Sequence, residues 1–562
     1  QARAVLTKEP LAEYSYHRLM RSKRVVGIPV WSVAENGGPA AGRVFAYKSG
    51  RPLDAGVPGI YTWTGYHQVF QTLLPLVTQD IAEDSWVLGR EKRDVAGTLR
   101  DANKLRRDVF ALYLDDYTRQ WDAMLADITV KPFNSVEDGR EELSYLAGPA
   151  SPLRELMLGI DAQTQLSRPA ATDAAAAAAQ ARAARVAERA GRFARFEALT
   201  GMSFRQQELL GVMGEAFGTD PSGKPIDPAK RVDDHFKALH DWVNGNDGKD
   251  PPMEAAITRM NAVYQGLIQV ANAPSQGQAL VTMAGGSAAG APSAAQQLQD
   301  TATRNTPPVV APMLQTIANS AAQVTASGAS RELSDAWRTN VVPLCDVSLN
   351  RYPLVQASNT DVQIDDFVAL LGPGGRIEKF FDQYLKSFVD TSQRPWRWQS
   401  SGAPLGLSPG SLAEFDRASQ IREALFPNGG NALQVKFQLS PADLSPSVGQ
   451  ISIDIGGNTL VNNHGPVEPV QFQWPGANGR TSVRVTMTPA TGGKEDVQEY
   501  NGPWALLRML DAAKITPTNQ PDRFRIQFTG GGGTATFDLI ANSVRNTFNL
   551  TALRSFRCPA KL

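Results

Sequence analysis

Residues 334–398 read SDAWRTNVVPLCDVSLNRYPLVQASNTDVQIDDFVALLGPGGRIEKFFDQYLKSFVDTSQRPWRW and contain three segments with the apolar spacing of buried helices. After Gly375, apolar residues recur every three or four positions and place several aromatic rings on one stripe. The members of this stripe are Ile377, Phe380, Phe381, Tyr384, Leu385 and Phe388. An earlier stripe runs from Leu333 through Trp337, and a short helix around Phe367 is predicted to end at Gly372. The stretch therefore predicts three helices packed together through brief turns.

Beyond Asn428 the apolar period changes from helical to alternating. Six segments alternate apolar and polar residues, which gives each of them one dry face and one wet face. They cover residues 433–439, 451–455, 470–474, 483–487, 524–528 and 535–539. One helix, predicted to begin at Gly502 and Pro503, interrupts them. This pattern predicts an antiparallel β-sandwich with one inserted helix.

The part of the chain before this stretch is predicted to be mainly helical. A helix after Pro10 precedes a Gly- and Pro-rich stretch at residues 27–65, which predicts short strands or a folded loop. Later come an alanine-rich helix at 173–198 and a low-complexity linker at 271–312. The predicted fold class is α+β multidomain, with mainly α-helical domains followed by the C-terminal antiparallel β-sandwich. The predicted domains are residues 1–80, 81–330, 331–430 and 431–562.

Composition excludes several classes of function. The 562 residues contain 56 Lys plus Arg and 56 Asp plus Glu, so no overall basic excess drives binding to nucleic acid or to an anionic membrane. No apolar run approaches the roughly 18 to 20 residues that cross a bilayer, and no signal peptide opens the chain. Because the first residue is Gln1 rather than Met, we expect a fragment whose targeting or anchoring segment lies upstream, and membrane contact is expected only through such segments absent from this chain.

No motif in the sequence predicts catalysis, a cofactor or a metal. Residues 218–224 have the spacing of a phosphate-binding P-loop, but Pro225 stands where the metal-binding Ser or Thr is needed, and no apolar strand precedes the loop. The five histidines are scattered, and His235 and His240 would point to different faces of a helix. Paired acids such as Asp115 and Asp116 are adjacent and likewise face different sides of a helix. We therefore predict a non-enzymatic protein.

A family resemblance is carried by the order of residues in the opening stretch. That order is Trp337, Pro343, Cys345, Arg351-Tyr352-Pro353, Asp366-Phe367, Gly372-Pro373-Gly375, Phe380-Phe381 and Trp396. It resembles the C-terminal, periplasmic region of the TssM (IcmF) family of type VI secretion systems. Similar motifs occur as GVPGIYT at residues 56–62, NGPW at 501–504 and the ending at 548–559. The resemblance runs, with gaps, from the first helix to the last residues.

The resemblance implies a structural scaffold in the periplasmic region of an inner-membrane-anchored protein. It implies three partners: further copies of the chain, a TssL-like inner-membrane protein and a TssJ-like outer-membrane lipoprotein. Because sandwich loops vary without disturbing the core, we expect the lipoprotein at the C-terminal module. The candidate loops are residues 462–466, 475–480 and 491–500. The candidate residues within them are Asn462, His464, Asn478, Arg480, Lys494 and Glu495.

Cys345 and Cys558 are the only cysteines, and both lie in segments that resemble the family. Two interpretations stay open: a disulfide formed in an oxidising compartment, or two buried thiols that pack as small hydrophobic groups.

Two other functions compete with the scaffold. The exposed rings of Trp396 and Trp398 could form a platform for sugars, which would suit a periplasmic or secreted protein that binds or hydrolyses carbohydrate or peptidoglycan. Such rings also seal domain interfaces. A cytosolic helical adaptor is the third interpretation, and it requires both cysteines to be free.

Overall fold

The computed structural model describes residues 10–84, 95–168, 217, 226–246, 248–286, 292–304, 306–430, 432–466 and 468–562. Helices and antiparallel sheets make up this part of the chain, which confirms the predicted α+β class. The chain divides into two compact units. The first unit comprises Gln1–Ala273 and Pro292–Val324, and the second comprises Pro274–Ala291 and Thr325–Leu562. Among the described residues, no helix is both long enough and apolar enough to span a bilayer.

Helices dominate the first unit. Its α-helices are Leu11–Met20, Lys23–Val26, Val33–Asn36, Ala41–Val44, Gln71–Asp84, Val95–Asp127, Val136–Leu146, Pro152–Thr164, Lys230–His235, Lys237–Asn244, Pro252–Ala271, Ala294–Arg304 and the first half of Ala311–Asn340. A π-helix covers Gly65–Phe70 and a 3-10 turn covers Gly59–Tyr61. Strands β1 (Phe45–Tyr47) and β2 (Ile128–Val130) form a short antiparallel pair.

The GVPGIYT motif is a packed turn on the long helix Val95–Asp127. Tyr113 donates its hydroxyl to the carbonyl of Ile60 at 2.7 Å, and the indole of Trp121 donates to the carbonyl of Tyr61 at 2.8 Å. A Cβ added at Gly56 would lie 1.8 Å from the carbonyl oxygen of Trp31. The glycine is therefore needed for a close backbone approach, which indicates a structural turn.

The structure differs from one of two predictions for the first 330 residues. Residues 27–65, predicted as short strands or a folded loop, form a folded loop with short helical turns, strand β1 and an isolated bridge between Trp31 and Val57. The predicted linker at 271–312 contains the helices Gln276–Gly285 and Ala294–Arg304, which bury Leu280 and Leu298. Alanine and glutamine favour helix, and a few buried leucines suffice to anchor such segments. The alanine-rich helix predicted at 173–198 and the P-loop-like segment at 218–225 lie outside the described residues.

The second unit contains the stretch quoted at the outset. Its α-helices are Gln276–Gly285, the second half of Ala311–Asn340, Val342–Ser348, Ile364–Leu371, Arg376–Phe380, Pro409–Leu425, Ala505–Ala512 and Thr551–Ser555. The aromatic stripe after Gly375 begins as Arg376–Phe380 and continues as the π-helix Phe381–Leu385 and the 3-10 turn Lys386–Phe388. A 3-10 segment covers Ser400–Leu405, and β3 (Val389–Asp390) pairs with β4 (Arg397–Trp398).

Two antiparallel sheets form the C-terminal sandwich. The remaining strands are β5 (Val435–Leu444), β6 (Val448–Ile455), β7 (Asn458–Asn462), β8 (Val470–Trp474), β9 (Val483–Pro489), β10 (Asp496–Tyr500), β11 (Lys514–Pro517), β12 (Arg523–Gly530) and β13 (Gly533–Ala541). One sheet has the order β10-β9-β6-β7 and the other β11-β12-β13-β5-β8. Strand β6 of the first sheet contacts β13 and β8 of the second. The dry faces predicted from alternation are buried, for example at Ile453 and Phe537.

Three strands of the sandwich were not predicted, and all three lie at sheet edges. Strand β7 reads NTLVN, β10 reads DVQEY and β11 reads KITP. An edge strand meets only one neighbour and is commonly short or charged, so its sequence carries a weak apolar alternation. The alternation therefore predicts the central strands and the edge strand β8, but not these three edge strands.

Candidate functional site

The strand registers place the sandwich loops at two opposite ends. At one end, Ile455 pairs with both Asn458 and Val483. At the other, Val448 pairs with Pro489, and Ile451 pairs with Asn462. We name the first the proximal end, formed by residues 456–457, 475–482 and 501–504. The second is the distal end, formed by residues 445–447, 463–466, 490–495 and 530–533.

The proximal end is packed against helices of the same unit. Trp504 has no exposed surface, and its indole donates to the carbonyl of Val362 at 2.8 Å. The ring centroid lies 4.8 Å from that of Phe367. A Cβ added at Gly502 would meet the carboxylate of Asp361 at 2.9 Å. These contacts bury Trp504 and hold residues 501–504 in place, whereas residues 477–480 of the same end are exposed.

A charged cluster around Tyr352 fixes the same end. Arg508, on the inserted helix, ion-pairs with Asp361 and lies 4.0 Å from the centroid of the Tyr352 ring. The Tyr352 hydroxyl donates to Asp511 at 2.8 Å, and Arg554 pairs with Asp511 at 2.5 Å. Burial is the main cause that raises the pKa of Tyr352, so its hydroxyl stays protonated and remains a donor.

Short turns held by hydrogen bonds form the distal end. Ser447 donates its hydroxyl to the carbonyl of Gly532 at 3.0 Å, and its own carbonyl accepts from the amide of Ala490 at 2.9 Å. The imidazole Nε2 of His464 donates to the carbonyl of Val448 at 2.7 Å. Residues 463–466 and 490–495 are exposed. The distal end is thus ordered by its own backbone and open to solvent.

Three of the predicted partner-binding residues lie at the distal end and remain accessible. His464, Lys494 and Glu495 are exposed, and Glu495 accepts a hydrogen bond from the Thr488 hydroxyl at 3.3 Å. Asn462 differs: it is the last residue of β7, only 5% exposed, and its side-chain oxygen accepts the amide of His464. Its prediction as an accessible loop residue is wrong because the strand turns it inward.

The other two predicted residues lie at the opposite end. Asn478 and Arg480 belong to the turn that follows β8, where the amide of Gly476 donates to the carbonyl of Arg480 at 2.9 Å. A Cβ added at Gly476 would lie 2.1 Å from the carbonyl oxygen of Gly456, so this turn sits on the proximal turn after β6. The three predicted loops therefore do not form one surface.

Two further features of the loops differ from prediction. Residues 491–500 were predicted to be a loop, but Asp496–Tyr500 form β10, so only 491–495 are a loop. The turns at 445–447 and 530–533 belong to the distal end but were not among the predicted partner-binding segments. Their Ser, Pro and Gly residues were the only available signal, and that signal marks any turn.

The two tryptophans proposed as a sugar platform are packed rather than free. The Trp396 ring lies 4.9 Å from that of Phe381, and the indole of Trp398 donates to the carbonyl of Ser408 at 3.1 Å. Both side chains are half-buried. Each contact is made to the helical part of the second unit.

The acids near Trp396 are already paired. Arg394 lies 5.8 Å from the Trp396 ring centroid and forms ion pairs with Asp416 at 3.1 Å and Glu423 at 2.7 Å. Glycoside hydrolysis needs two carboxyl groups that face the substrate. Here the carboxylates face a shared arginine, which does not support the hydrolase interpretation.

Cys345 and Cys558 are bonded to each other, with Cα atoms 6.2 Å apart. The last residues of the chain are also held by Trp337, whose indole donates to the carbonyl of Pro559 at 2.9 Å. A free thiol is required by the cytosolic-adaptor interpretation, and the structure has no free cysteine.

The buried carboxyl group of Asp161 has a structural role. Burial raises the pKa of Asp161 to about 6, and the amides of Asn244 and Gln165 donate to it at 2.9 and 2.8 Å. Perturbed acids can mark active sites. This one joins two helices of the first unit, and no group of His, Cys, Asp or Glu in the described part of the chain could hold a metal ion.

Two family models match the chain. Residues 1–165 match the IcmF-related family, described as intracellular multiplication and human macrophage-killing. Residues 437–543 match the type VI secretion protein IcmF C2-like domain. The second match covers most of the sandwich.

A curated relative and two solved structures are similar over nearly all of the chain. The type VI secretion system component TssM1 of Pseudomonas aeruginosa is 34% identical over 565 residues, which cover 100% of this chain and 49% of the relative. The chain thus spans about half the length of the curated relative that it matches. A chain of a type VI secretion system membrane core complex matches with a TM-score of 0.56 and 17% identity, over 98% of this chain and 99% of that one. A chain of a type VI membrane complex matches with a TM-score of 0.54 and 16% identity, over 100% and 93%. At these identities the two structures show a shared fold.

Proposed function

Because the chain belongs to the TssM (IcmF) family of type VI secretion proteins, we propose that it is a non-enzymatic structural scaffold of the secretion membrane complex. The proposal is supported by the family matches at both ends of the chain. It is also supported by the roles of the perturbed or paired acids described above, which hold helices together. A scaffold needs stable surfaces rather than a reactive cleft.

In this proposal the chain lies in the periplasm as part of an inner-membrane-anchored protein. It assembles with further copies of itself and with a TssL-like inner-membrane protein. Its C-terminal sandwich docks a TssJ-like outer-membrane lipoprotein. The bonded pair of Cys345 and Cys558 supports the periplasmic location, because disulfides persist in oxidising compartments.

The observation that carries the docking proposal is the asymmetry of the sandwich. Its proximal end contacts Val362, Phe367 and Asp361 of the same unit and exposes residues 477–480, whereas its distal end exposes the longer loops 463–466 and 490–495. Exposed loops on a rigid scaffold are the usual carriers of binding residues. We therefore assign the lipoprotein contact to the distal end, with His464, Lys494 and Glu495 as contact residues.

Calorimetry on the full chain tests this assignment. The soluble part of the lipoprotein is titrated into the chain and into a variant in which residues 491–494 are replaced by Gly and Ser at the same length. We expect saturable binding by the chain and a loss of at least about tenfold in affinity for the variant. Unchanged affinity of a folded variant would contradict the distal assignment, and no binding by the unaltered chain would contradict the docking function itself.

A further inference from the structure

A basic segment opens the described part of the first unit. Residues 10–30 contain four Arg or Lys residues and a single acid, Glu13, although the whole chain has no net charge. The four cations are Arg18, Arg21, Lys23 and Arg24, and all four side chains are exposed. The charge balance of the chain thus conceals a local excess of three positive charges.

The local fold explains why these cations point outward. Helix Leu11–Met20 buries Tyr16 and Leu19, and the Tyr16 hydroxyl donates to Asp116 at 2.7 Å. The next turn, Lys23–Val26, buries only Val25 and is capped by the Ser22 side chain. The buried positions fix the register of both helices.

Within the described residues, none of the four cations forms an ion pair with a carboxylate. This differs from other exposed arginines of the first unit, such as Arg43, which pairs with Glu141 at 2.8 Å. Four uncompensated charges on one short segment create a positive potential that attracts an anionic surface.

Exposed aliphatic side chains lie in the same segment. Val26 is 75% exposed, the largest exposed fraction among the large hydrophobic residues described, and Val30 is 46% exposed. The backbone between them is ordered, since the amide of Gly27 donates to Lys23 and the amide of Ile28 donates to Val25. The valines are therefore presented to solvent by a formed turn.

We propose that this basic patch, defined as Arg18, Arg21, Lys23, Arg24, Val26 and Val30, binds the surface of an anionic phospholipid bilayer. The cations are complementary to lipid phosphates, and the valines can enter the boundary between headgroups and acyl chains. A nucleic acid or another soluble polyanion would satisfy the cations but give the valines no apolar environment. The proposal replaces the expectation that all membrane contact comes from segments absent from this chain. It concerns a different surface from the lipoprotein docking end and does not depend on it.

Vesicle flotation with the full chain tests the proposal. Vesicles of phosphatidylcholine with phosphatidylglycerol are compared with vesicles of phosphatidylcholine alone, at low and at physiological salt. We expect binding to the anionic vesicles only, weakened by salt. Each cation near such a surface contributes about fivefold in affinity. The single variant Lys23→Gln should therefore bind about fivefold more weakly, and the quadruple variant R18Q/R21Q/K23Q/R24Q at least about fiftyfold more weakly.

A matched control separates the patch from net charge. The variant K436Q/K514Q/R523Q/K561Q removes four exposed cations from the second unit and should change binding by less than about twofold. The variant V26N/V30N should weaken binding severalfold while leaving its salt dependence in place.

Three results would overturn the proposal. They are equal binding to neutral and anionic vesicles, equal loss in the patch and control quadruple variants, and unchanged binding of V26N/V30N. Tighter binding to duplex DNA than to vesicles, lost in the same patch variants, would assign the patch to polyanions instead. Circular dichroism confirms that each variant is folded, and the single variant gives the same answer if the quadruple variant is not. The vesicles carry no lipoprotein, so a negative result here leaves the docking function standing.

Discussion

The two ends of the sandwich are built from similar turns but differ in what surrounds them. At the proximal end, Trp504 and Arg508 reach into the helical part of the unit and bond to Val362 and Asp361. At the distal end, turns such as 490–495 bond mainly to one another and face solvent. Residues that contact the helical part of the unit contribute to its stability. Turns that bond only to neighbouring turns can contact a partner without loss of stability. Substitutions at the two ends should therefore have separate effects.

The largest effect is expected from Trp504→Ala at the proximal end. The substitution removes a fully buried indole and leaves the carbonyl of Val362 without its donor, so the free energy of unfolding should fall by about 3 to 5 kcal/mol. Urea unfolding of the full chain measures it. The matched change at the edge, Val461→Ala, removes a side chain that is 42% exposed and should cost less than about 1 kcal/mol. Similar losses of unfolding free energy in both variants would contradict a stabilising role of the Trp504 contact at the proximal end.

The disulfide should have the next largest effect. It closes a loop of 213 residues and holds the C-terminal segment, so replacing both cysteines by Ser should lower the free energy of unfolding by about 2 to 4 kcal/mol. Lipoprotein affinity should stay within about twofold, because neither cysteine lies at the distal end. Mass spectrometry of unreduced peptides checks the bond itself. Full alkylation of both thiols without reductant would show that the pair is not bonded.

A smaller effect, on binding only, is expected at the distal end. Reversing both charges in K494E/E495K should weaken lipoprotein binding by about tenfold, or about 1.4 kcal/mol, while the free energy of unfolding changes by less than about 0.5 kcal/mol. Both side chains are exposed, so the fold does not depend on their charge. Calorimetry and urea unfolding of the same preparation measure the two quantities. A lower free energy of unfolding with unchanged lipoprotein affinity in this variant would contradict the assignment of the contact to the distal end.

The smallest effect is expected from Arg480→Glu. This residue was predicted with Glu495 as a binding residue, but it belongs to the proximal turn, so lipoprotein affinity should change by less than about twofold. The variant also serves as the charge-matched control for the distal substitutions. A tenfold loss of lipoprotein affinity in this variant would place the lipoprotein contact at the proximal end and contradict the proposal.

Much of the fold follows from the sequence, because buried stripes are strong local signals. The aromatic stripe from Ile377 to Phe388 predicted a buried helical segment, and the alternating segments predicted the central strands. Edge strands such as β7 and β10 were not predicted. A strand with only one neighbour does not need a regular alternation of buried and exposed side chains. The linker at 271–312 was misread because alanine-rich composition suits both helices and flexible connections.

The candidate site was harder to predict than the fold. Successive loops of an antiparallel run alternate between ends, so the separation of 475–480 from its neighbours is implied by pairing alone. Which end contacts the helical part of the unit is not implied, since it depends on the bond of Trp504 to Val362, 142 residues away in the chain. The inward turn of Asn462 likewise depends on β7, which the sequence did not reveal.

Hydrogen exchange of the full chain, with and without the lipoprotein, tests the central claim most directly. Exchange reports protection of each backbone segment in the intact protein. We predict slower exchange at residues 463–466, 490–495 and 530–533 when the lipoprotein is bound, with residues 475–480 unchanged. Protection confined to 475–480, or found only in the first unit, would contradict docking at the distal end of the sandwich.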